Sequence, residues 1–223
     1  MKKYYLFNDD IIGDVFPQCH SFKNGLTEEE IEEYYSFQDY YYAPDETFPP
    51  TMPVLRGYKL AGRTKLTDFV SHAVSSLLLV SPKALSILEK FNLGAYKTIP
   101  TEIVKRGVPY EYYFLYIVSG LYKYLKFEEF EFPDVTAKTP QIIQFNSISE
   151  FQDWRAATLP ISFRFPSPTK IVLKSGCPTD LDVFRIPAMN RGIYYFSERL
   201  KTELEKNNLT GFYFTNPTEL IIK

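Results

Sequence analysis

The chain has 223 residues, enough for one large domain that buries roughly 70% of its unfolded surface without disulfide staples. Its formal net charge of -2 argues against a nucleic-acid binder, which shows a basic excess. Cys19 and Cys177 are its only cysteines and neither lies in a CxxC, so two free thiols of a reducing compartment are expected.

Residues 4–7 open the chain as a short strand. They are too short for a signal-peptide core, and Asn8-Asp9-Asp10 interrupts them. No run approaches the ~18 apolar residues of a membrane span, so no membrane association and a cytoplasmic location are expected. Residues 26–35 read as a helix with a complete start signal: Thr27 as cap, Glu30 closing a capping box, and Leu26 with Ile31 as a hydrophobic staple. Pro49, Pro50 and Pro53 then break regular structure. Residues 54–60 read as a strand and residues 66–76 as a helix, with Leu66, Phe69, Val70 and Ala73 on one face. Residues 110–125 and the alternating Phe and Glu of 127–132 read as strands. Ser147 and Glu150 form a second capping box before a short helix carrying Phe151 and Trp154. Residues 169–174 and 181–186 are two further strands around a turn at 175–178.

One design occurs twice. In residues 77–100 a strand (Leu77 to Val80) is followed by a cap, Ser81, and by Pro82 at the first helical position. Leu85 and Leu88 form the helix face, Leu93-Gly94 the exit, and a second strand returns. In residues 193–214 the order repeats: Ile193 to Phe196, the cap Ser197, Leu200 and Leu204, an exit at Asn207-Asn208, then Gly211 and Phe212-Tyr213-Phe214. Strands outnumber helices and the helices are short, which predicts an α+β domain with a largely antiparallel sheet built around two strand-Ser-helix-Gly-strand units. The aromatic share of 17%, 18 Tyr and 19 Phe, suits strands and also a surface able to make rigid contacts.

The strong catalytic motifs are missing: no phosphate-cradling glycine loop, no HExxH and no GxSxG. Ser81 and Ser197 follow strands as a nucleophile would, but they lack the flanking glycines of an elbow and capping explains both. His20 and His72 are the only histidines, and adjacent Cys19-His20 seldom share an ion, so no metal and no cofactor are expected. Cys19 with His72 as base is a pairing that any chain with a cysteine and a histidine offers. Glu129 with Glu131, or Glu128 with Asp134, is the one carboxylate set that would suit a hydrolase. Alternating Phe and Glu more often marks one buried and one wetted face.

Residues 24–55 hold eight acidic residues and no Lys or Arg, interleaved with tyrosines. Clustered carboxylates steer a basic partner, and tyrosines give contact area at low entropic cost. Glu28, Glu32, Tyr35, Asp39, Tyr41, Tyr42 and Asp45 are therefore the expected partner-binding residues. A protein partner suits them better than a small molecule or nucleic acid.

The succession Ser81-helix-Leu93-Gly94-strand, Tyr112-Tyr113-Phe114-Leu115-Tyr116, Asp182-Val183-Phe184-Arg185, Tyr195-Phe196-Ser197-Glu198-Arg199-Leu200 and Leu209-Thr210-Gly211-Phe212-Tyr213-Phe214 resembles a bacterial immunity-protein family attached to polymorphic toxin systems. The resemblance covers about residues 77–214. It implies a small cytoplasmic protein, not an enzyme, that binds and blocks a cognate toxin domain, with no catalytic residue to carry over. One departure stands at Ile117-Val118-Ser119-Gly120-Leu121, where the family often has an Asn and a polar Asp-and-Ser stretch. Residues 1–223 are read as a single domain, with 1–76 a variable N-terminal part that holds the acidic segment and 77–223 the immunity-like core. A basic toxin domain is the expected partner; a small hydrolase using a carboxylate pair and a structural adaptor are the alternatives.

Overall fold

Ser81 and Ser197 start the two helices around which the fold is arranged. Each has extended backbone, and each hydroxyl accepts the free amide three residues on, from Ala84 at 3.1 Å and from Leu200 at 3.3 Å. The computed structural model describes residues 2–9, 19–20, 27–42, 47–60, 64–72, 77–134, 139, 141–158, 167–186 and 193–223. In chain order the elements are β1 (Lys2–Asp9), β2 (Cys19–His20), α1 (Glu28–Tyr42), β3 (Tyr58–Leu60), β4 (Leu78–Val80), α2 (Pro82–Leu88), β5 (Ala95–Lys105), β6 (Val108–Val118), β7 (Phe132–Pro133), β8 (Ile142–Ile143), α3 (Ile148–Thr158), β9 (Lys170–Leu173), β10 (Val183–Arg185), β11 (Tyr194–Ser197), α4 (Glu198–Lys206) and β12 (Phe212–Ile222). They form an α+β fold with two five-stranded sheets, ordered β2-β3-β5-β6-β4 and β10-β11-β1-β12-β9, and a β7-β8 pair. Pairing is antiparallel except for β3 with β5 and β12 with β9.

The repeated design extends further than its sequence. In unit 1, β4-α2-β5 is completed by β6, which lies antiparallel between β4 and β5. In unit 2, β11-α4-β12 is completed by β1, which lies antiparallel between β11 and β12. The first strand of the chain thus fills in unit 2 the place that β6 fills in unit 1. Each unit also has a segment running antiparallel outside its capped strand: Phe69 bridges Val80 beside β4, and β10 pairs with β11.

Strand periodicity then sorts side chains into three cores. Leu78, Val80, Leu115 and Ile117 from one sheet and Phe7, Val183, Tyr194 and Phe196 from the other bury a shared core with Leu85 and Leu88 of α2 and Leu200 and Leu204 of α4. The reverse face of the unit 2 sheet (Tyr4, Ile171, Leu173, Phe184, Tyr195) packs on an aromatic group built from Phe127, Phe130, Phe132, Phe145 and Phe151. The reverse face of the unit 1 sheet (Tyr58, Ile99, Ile103, Tyr112, Phe114, Tyr116) is covered by Phe37 of α1 and by Leu55.

Four expected elements differ. The strand expected at 110–125 ends at Val118, and Tyr122–Tyr124 forms a 3-10 turn after Gly120 at φ 62°. Residues 66–72 are extended rather than helical, because Phe69 and Val70 give their amides to the carbonyls of Thr210 and Leu79 and so belong to the sheet edge; residues 73–76 lie outside the described residues. Of the strand expected at 54–60 only Tyr58–Leu60 forms, after Gly57 at φ 78°. Phe127–Glu129 is a 3-10 turn, not a strand, and this brings Phe127 and Phe130 onto the same side as Phe132 instead of alternating them.

Candidate partner-binding surface

Helix α1 begins as its residues require: the Thr27 hydroxyl accepts the Glu30 amide at 3.2 Å and the Glu30 carboxylate accepts the Thr27 amide at 2.8 Å. Glu30 also takes the Arg56 guanidinium at 2.8 Å, which ties the first turn to the proline-rich segment. The helix is held to the sheet by Phe37, 3% exposed, whose ring meets Tyr116 edge-on at 5.5 Å. Phe48 meets the same ring at 5.4 Å, and the Tyr116 hydroxyl donates to the Thr47 carbonyl at 2.8 Å.

The helix also carries Glu28, Glu29, Glu32 and Glu33, all exposed, and Tyr35 at 49% exposure. Glu28 with Glu32 and Glu29 with Glu33 are i,i+4 like-charge pairs, an arrangement that weakens an isolated helix. None of the four has a cationic partner among the described residues. Of the expected contact residues, Glu28, Glu32 and Tyr35 therefore share the exposed side of α1. The side chains of Asp39, Tyr41 and Tyr42, and all of Asp45, lie outside the described residues.

Two of the carboxylates that would suit a hydrolase, Glu129 and Glu131, are held in ion pairs. Glu129 accepts from Lys126 at 3.1 Å and from Lys223, and these bonds, Lys223 first, hold its carboxyl below the usual range. Glu131 pairs with Lys170 of β9. His72 is buried edge-on against Phe114 with its Nε2–H donating to the Leu77 carbonyl at 2.9 Å, and burial lowers its pKa to about 4. Cys177 is a buried free thiol; the Cys19 side chain lies outside the described residues.

A cleft of about 520 Å³ opens between the start of β1, residues 180–182 and the start of α4. Its floor is Asp182, which is 1% exposed. Burial acts to raise the pKa of this carboxyl, but four hydrogen bonds outweigh it and hold the group below its ordinary range: Ser197 Oγ and Arg199 Nε on Oδ1, both at 2.5 Å, the Asn92 amide on Oδ2 at 2.9 Å, and Arg199 Nη2 on Oδ2. Beside it the Tyr4 hydroxyl donates to the Leu181 carbonyl at 2.7 Å, and burial pushes its pKa up to about 12. A carboxylate so fully bonded is a joint and not a base. Unit 1 has the same joint. Asp68 accepts from the cap Ser81 at 2.9 Å and from the Thr210 amide at 3.0 Å. Each aspartate thus links the cap of one unit to the helix exit of the other. Sequence reading missed both joints, although an Asp followed by two apolar residues stands before each capped strand (Asp68-Phe69-Val70, Asp182-Val183-Phe184).

These contacts explain the closing signature of the chain: in Ser197-Glu198-Arg199-Leu200 the cap, the aspartate clamp and a core residue follow one another, and in Leu209-Thr210-Gly211 come a core residue, the other clamp and a turn at φ 92°. A family model described as Immunity protein family (Imm11) matches residues 20–219. The chain belongs to this family. The match reaches well ahead of residue 77, so α1 lies inside the Imm11 region, whereas β1 precedes it. A comparison with curated proteins found no match. No helix among the described residues is long and apolar enough to cross a membrane.

Proposed function

We propose that this Imm11 chain neutralises a cognate toxin by binding it directly, with the outward side of α1 as contact surface and a basic toxin domain as partner, in the cytoplasm of a bacterium. One observation carries the proposal: α1 presents like-charged i,i+4 glutamates and a half-exposed tyrosine to solvent, and none of these glutamates has a cationic partner among the described residues. Such a stripe costs the isolated helix stability and is relieved by a positive surface. Membership of an immunity family supports a protein partner over a small molecule. The test is co-expression with the toxin domain encoded beside it. The unaltered chain is expected to restore growth and to co-purify with that domain. Glu28→Lys with Glu32→Lys should leave the circular dichroism spectrum unchanged, weaken capture about tenfold or more, and flatten its dependence on salt. Unaltered affinity in this variant moves the contact away from α1.

A further inference from the structure

The two units share more than their capped helices. Pro100-Thr101-Glu102 in β5 recurs as Pro217-Thr218-Glu219 in β12. In both, the threonine hydroxyl donates to a carbonyl two or three residues ahead of a strand that runs parallel to the return strand. Thr101 reaches Leu55, ahead of β3, at 2.5 Å, and Thr218 reaches Pro168, ahead of β9, at 2.8 Å. Ahead of each parallel strand comes a helix whose cap hydroxyl accepts an amide three residues on, α1 at Thr27 and α3 at Ser147. Phe37 of α1 and Phe151 of α3 pack on the reverse faces of the two sheets.

Matched at Pro-Thr-Glu, the middle strands agree as well. Tyr113 faces Pro100 on one side and, on the other, Val80, the residue before the Ser81 cap. Tyr5 faces Pro217 on one side and, on the other, Phe196, the residue before the Ser197 cap. Tyr112-Tyr113-Phe114-Leu115 in β6 thus corresponds to Tyr4-Tyr5-Leu6-Phe7 in β1. The first tyrosine of each is buried, and its hydroxyl donates to the carbonyl just before the clamp aspartate: Tyr112 to Thr67 at 2.6 Å, Tyr4 to Leu181 at 2.7 Å. The fourth residue of each, Leu115 or Phe7, enters the shared core. The elements then recur in chain order: β1, α1, β3, the extended 66–72, β4, α2 and β5 within residues 2–105, and β6, α3, β9, β10, β11, α4 and β12 within residues 108–222. Only β2 in the first half and β7-β8 in the second are additions. Each half, however, lends its first strand to the other's sheet: β1 lies between β11 and β12, and β6 between β4 and β5.

We infer that the groove between capped strand and return strand is a binding site for the first strand of another copy of this module, and that the chain is two such modules, 2–105 and 108–222, joined at Arg106-Gly107 with their first strands exchanged. The site takes an extended Tyr-Tyr segment followed by two large apolar residues. Ladders on both edges hold its backbone, the first tyrosine bonds the carbonyl beside the clamp, and the fourth side chain fills the core. Because each half grips a strand of the other, assembly does not need the covalent joint, and both residues of that joint are exposed.

The complete chain with a protease recognition sequence inserted between Arg106 and Gly107, cleaved after folding, tests this. The two fragments are expected to stay together in gel filtration and native mass spectrometry as one particle of about the intact mass, 26.0 kDa, with an unchanged circular dichroism spectrum. Isotope-labelled and unlabelled nicked chains, unfolded together and diluted from denaturant, are expected to give hybrid pairs of the same kind. Fragments that separate in native buffer, or that do not regain the paired particle on dilution, overturn the inference. Tyr4→Phe and Tyr112→Phe in the intact chain test the likeness of the two grooves, since each removes one hydroxyl from the same place. Each is expected to lower the thermal midpoint by about 2–4 °C. A shift in only one of the two, or in neither, overturns the inference as well. None of these measurements involves the toxin, so they stand apart from the reading of α1 as its contact surface.

Discussion

In unit 1 the strand after α2 turns at Arg106-Gly107 and comes back as β6; in unit 2 the strand after α4 runs to the end of the chain, and its neighbour β1 arrives from the other end. The tight turn of unit 1 places Arg106 at φ 52° and Gly107 at φ 81°. In unit 2 no turn joins the two strands: Lys2 faces Leu220 although most of the sequence separates them. The three strands of each unit are otherwise arranged alike, with a middle strand antiparallel to both neighbours and an aspartate clamp at each cap. What differs is how each pays for closure: unit 1 through a two-residue turn, unit 2 through chain ends that meet in space. The comparison teaches that the capped strand, short helix and return strand form the scaffold, and that side chains at equivalent places on it were free to diverge.

The two exit glycines give the sharpest contrast. Gly94 lies at φ 70°, and a β-carbon on it would stand 3.1 Å from Leu181 Cδ2, a side-chain tip. Gly211 lies at φ 92°, and a β-carbon on it would stand 2.0 Å from the carbonyl oxygen of Phe69. Both positions strain an L side chain, but only the second drives it into backbone. Gly94→Ala should cost about 1–2 kcal/mol by denaturant unfolding, while Gly211→Ala should cost upwards of about 4 kcal/mol or prevent folding. Equal losses would mean that the close approach of Phe69 to the α4 exit does not hold in solution.

The aspartate clamps break the equivalence less severely. Asp182 is buried, and its four hydrogen bonds come from three residues; Asp68 is half-buried and, among the described residues, its carboxylate bonds Ser81 and Thr210. Truncating Asp182 strands the Ser197 hydroxyl, the Asn92 amide and the Arg199 guanidinium, although Arg199 itself reaches solvent. Asp182→Ala should therefore cost about 3 kcal/mol and Asp68→Ala about 1–2 kcal/mol in equilibrium unfolding. The reverse order would show that the cap of unit 1, not that of unit 2, holds the units together. The Asp182 carboxyl also titrates below its ordinary value when folded. Its contribution is present above the unfolded pKa, near 3.9, and disappears as pH falls through the lower folded value.

How far these elements were legible follows from where their information sits. Caps, helix faces and exits are local, and Ser81, Pro82, Ser197 and Thr27 behave as their types require. The alternation that sends Tyr112, Phe114 and Tyr116 to one core and Leu115 and Ile117 to another is local too. The segment at 66–72 was misread because Phe69 and Val70 share a helical face in sequence, while Thr210 and Leu79, their bonding partners, are contributed by unit 2 and by β4. For the same reason nothing in Lys2–Asp9 says that this strand is the centre of a sheet: its neighbours Tyr194–Ser197 and Phe212–Ile222 lie almost the whole chain away. On α1 the acidic pattern placed Glu28, Glu32 and Tyr35 on the exposed side, because helical spacing and one anchoring phenylalanine are enough for that.

The mildest change expected is also the most direct test of the two closures. Lys2 faces Leu220, so a linker of about five residues spans from Lys223 back to the start of β1 at roughly 3.3 Å per residue. Joining the ends in this way and opening the chain between Arg106 and Gly107 gives a permutant in which unit 1 is closed as unit 2 was, and unit 2 as unit 1 was. Neither residue is buried, and a β-carbon on Gly107 meets nothing within 4 Å, so the cut removes a turn and little packing. Because loop closure depends weakly on length, the permutant should unfold cooperatively with a loss of no more than about 2 kcal/mol. Cutting instead between Phe114 and Leu115, both fully buried in β6, should abolish cooperative unfolding. If the Arg106-Gly107 permutant were lost as completely, the turn would be supplying stability that the meeting ends of unit 2 do not need, and the likeness of the two sheets would stop at their strand order.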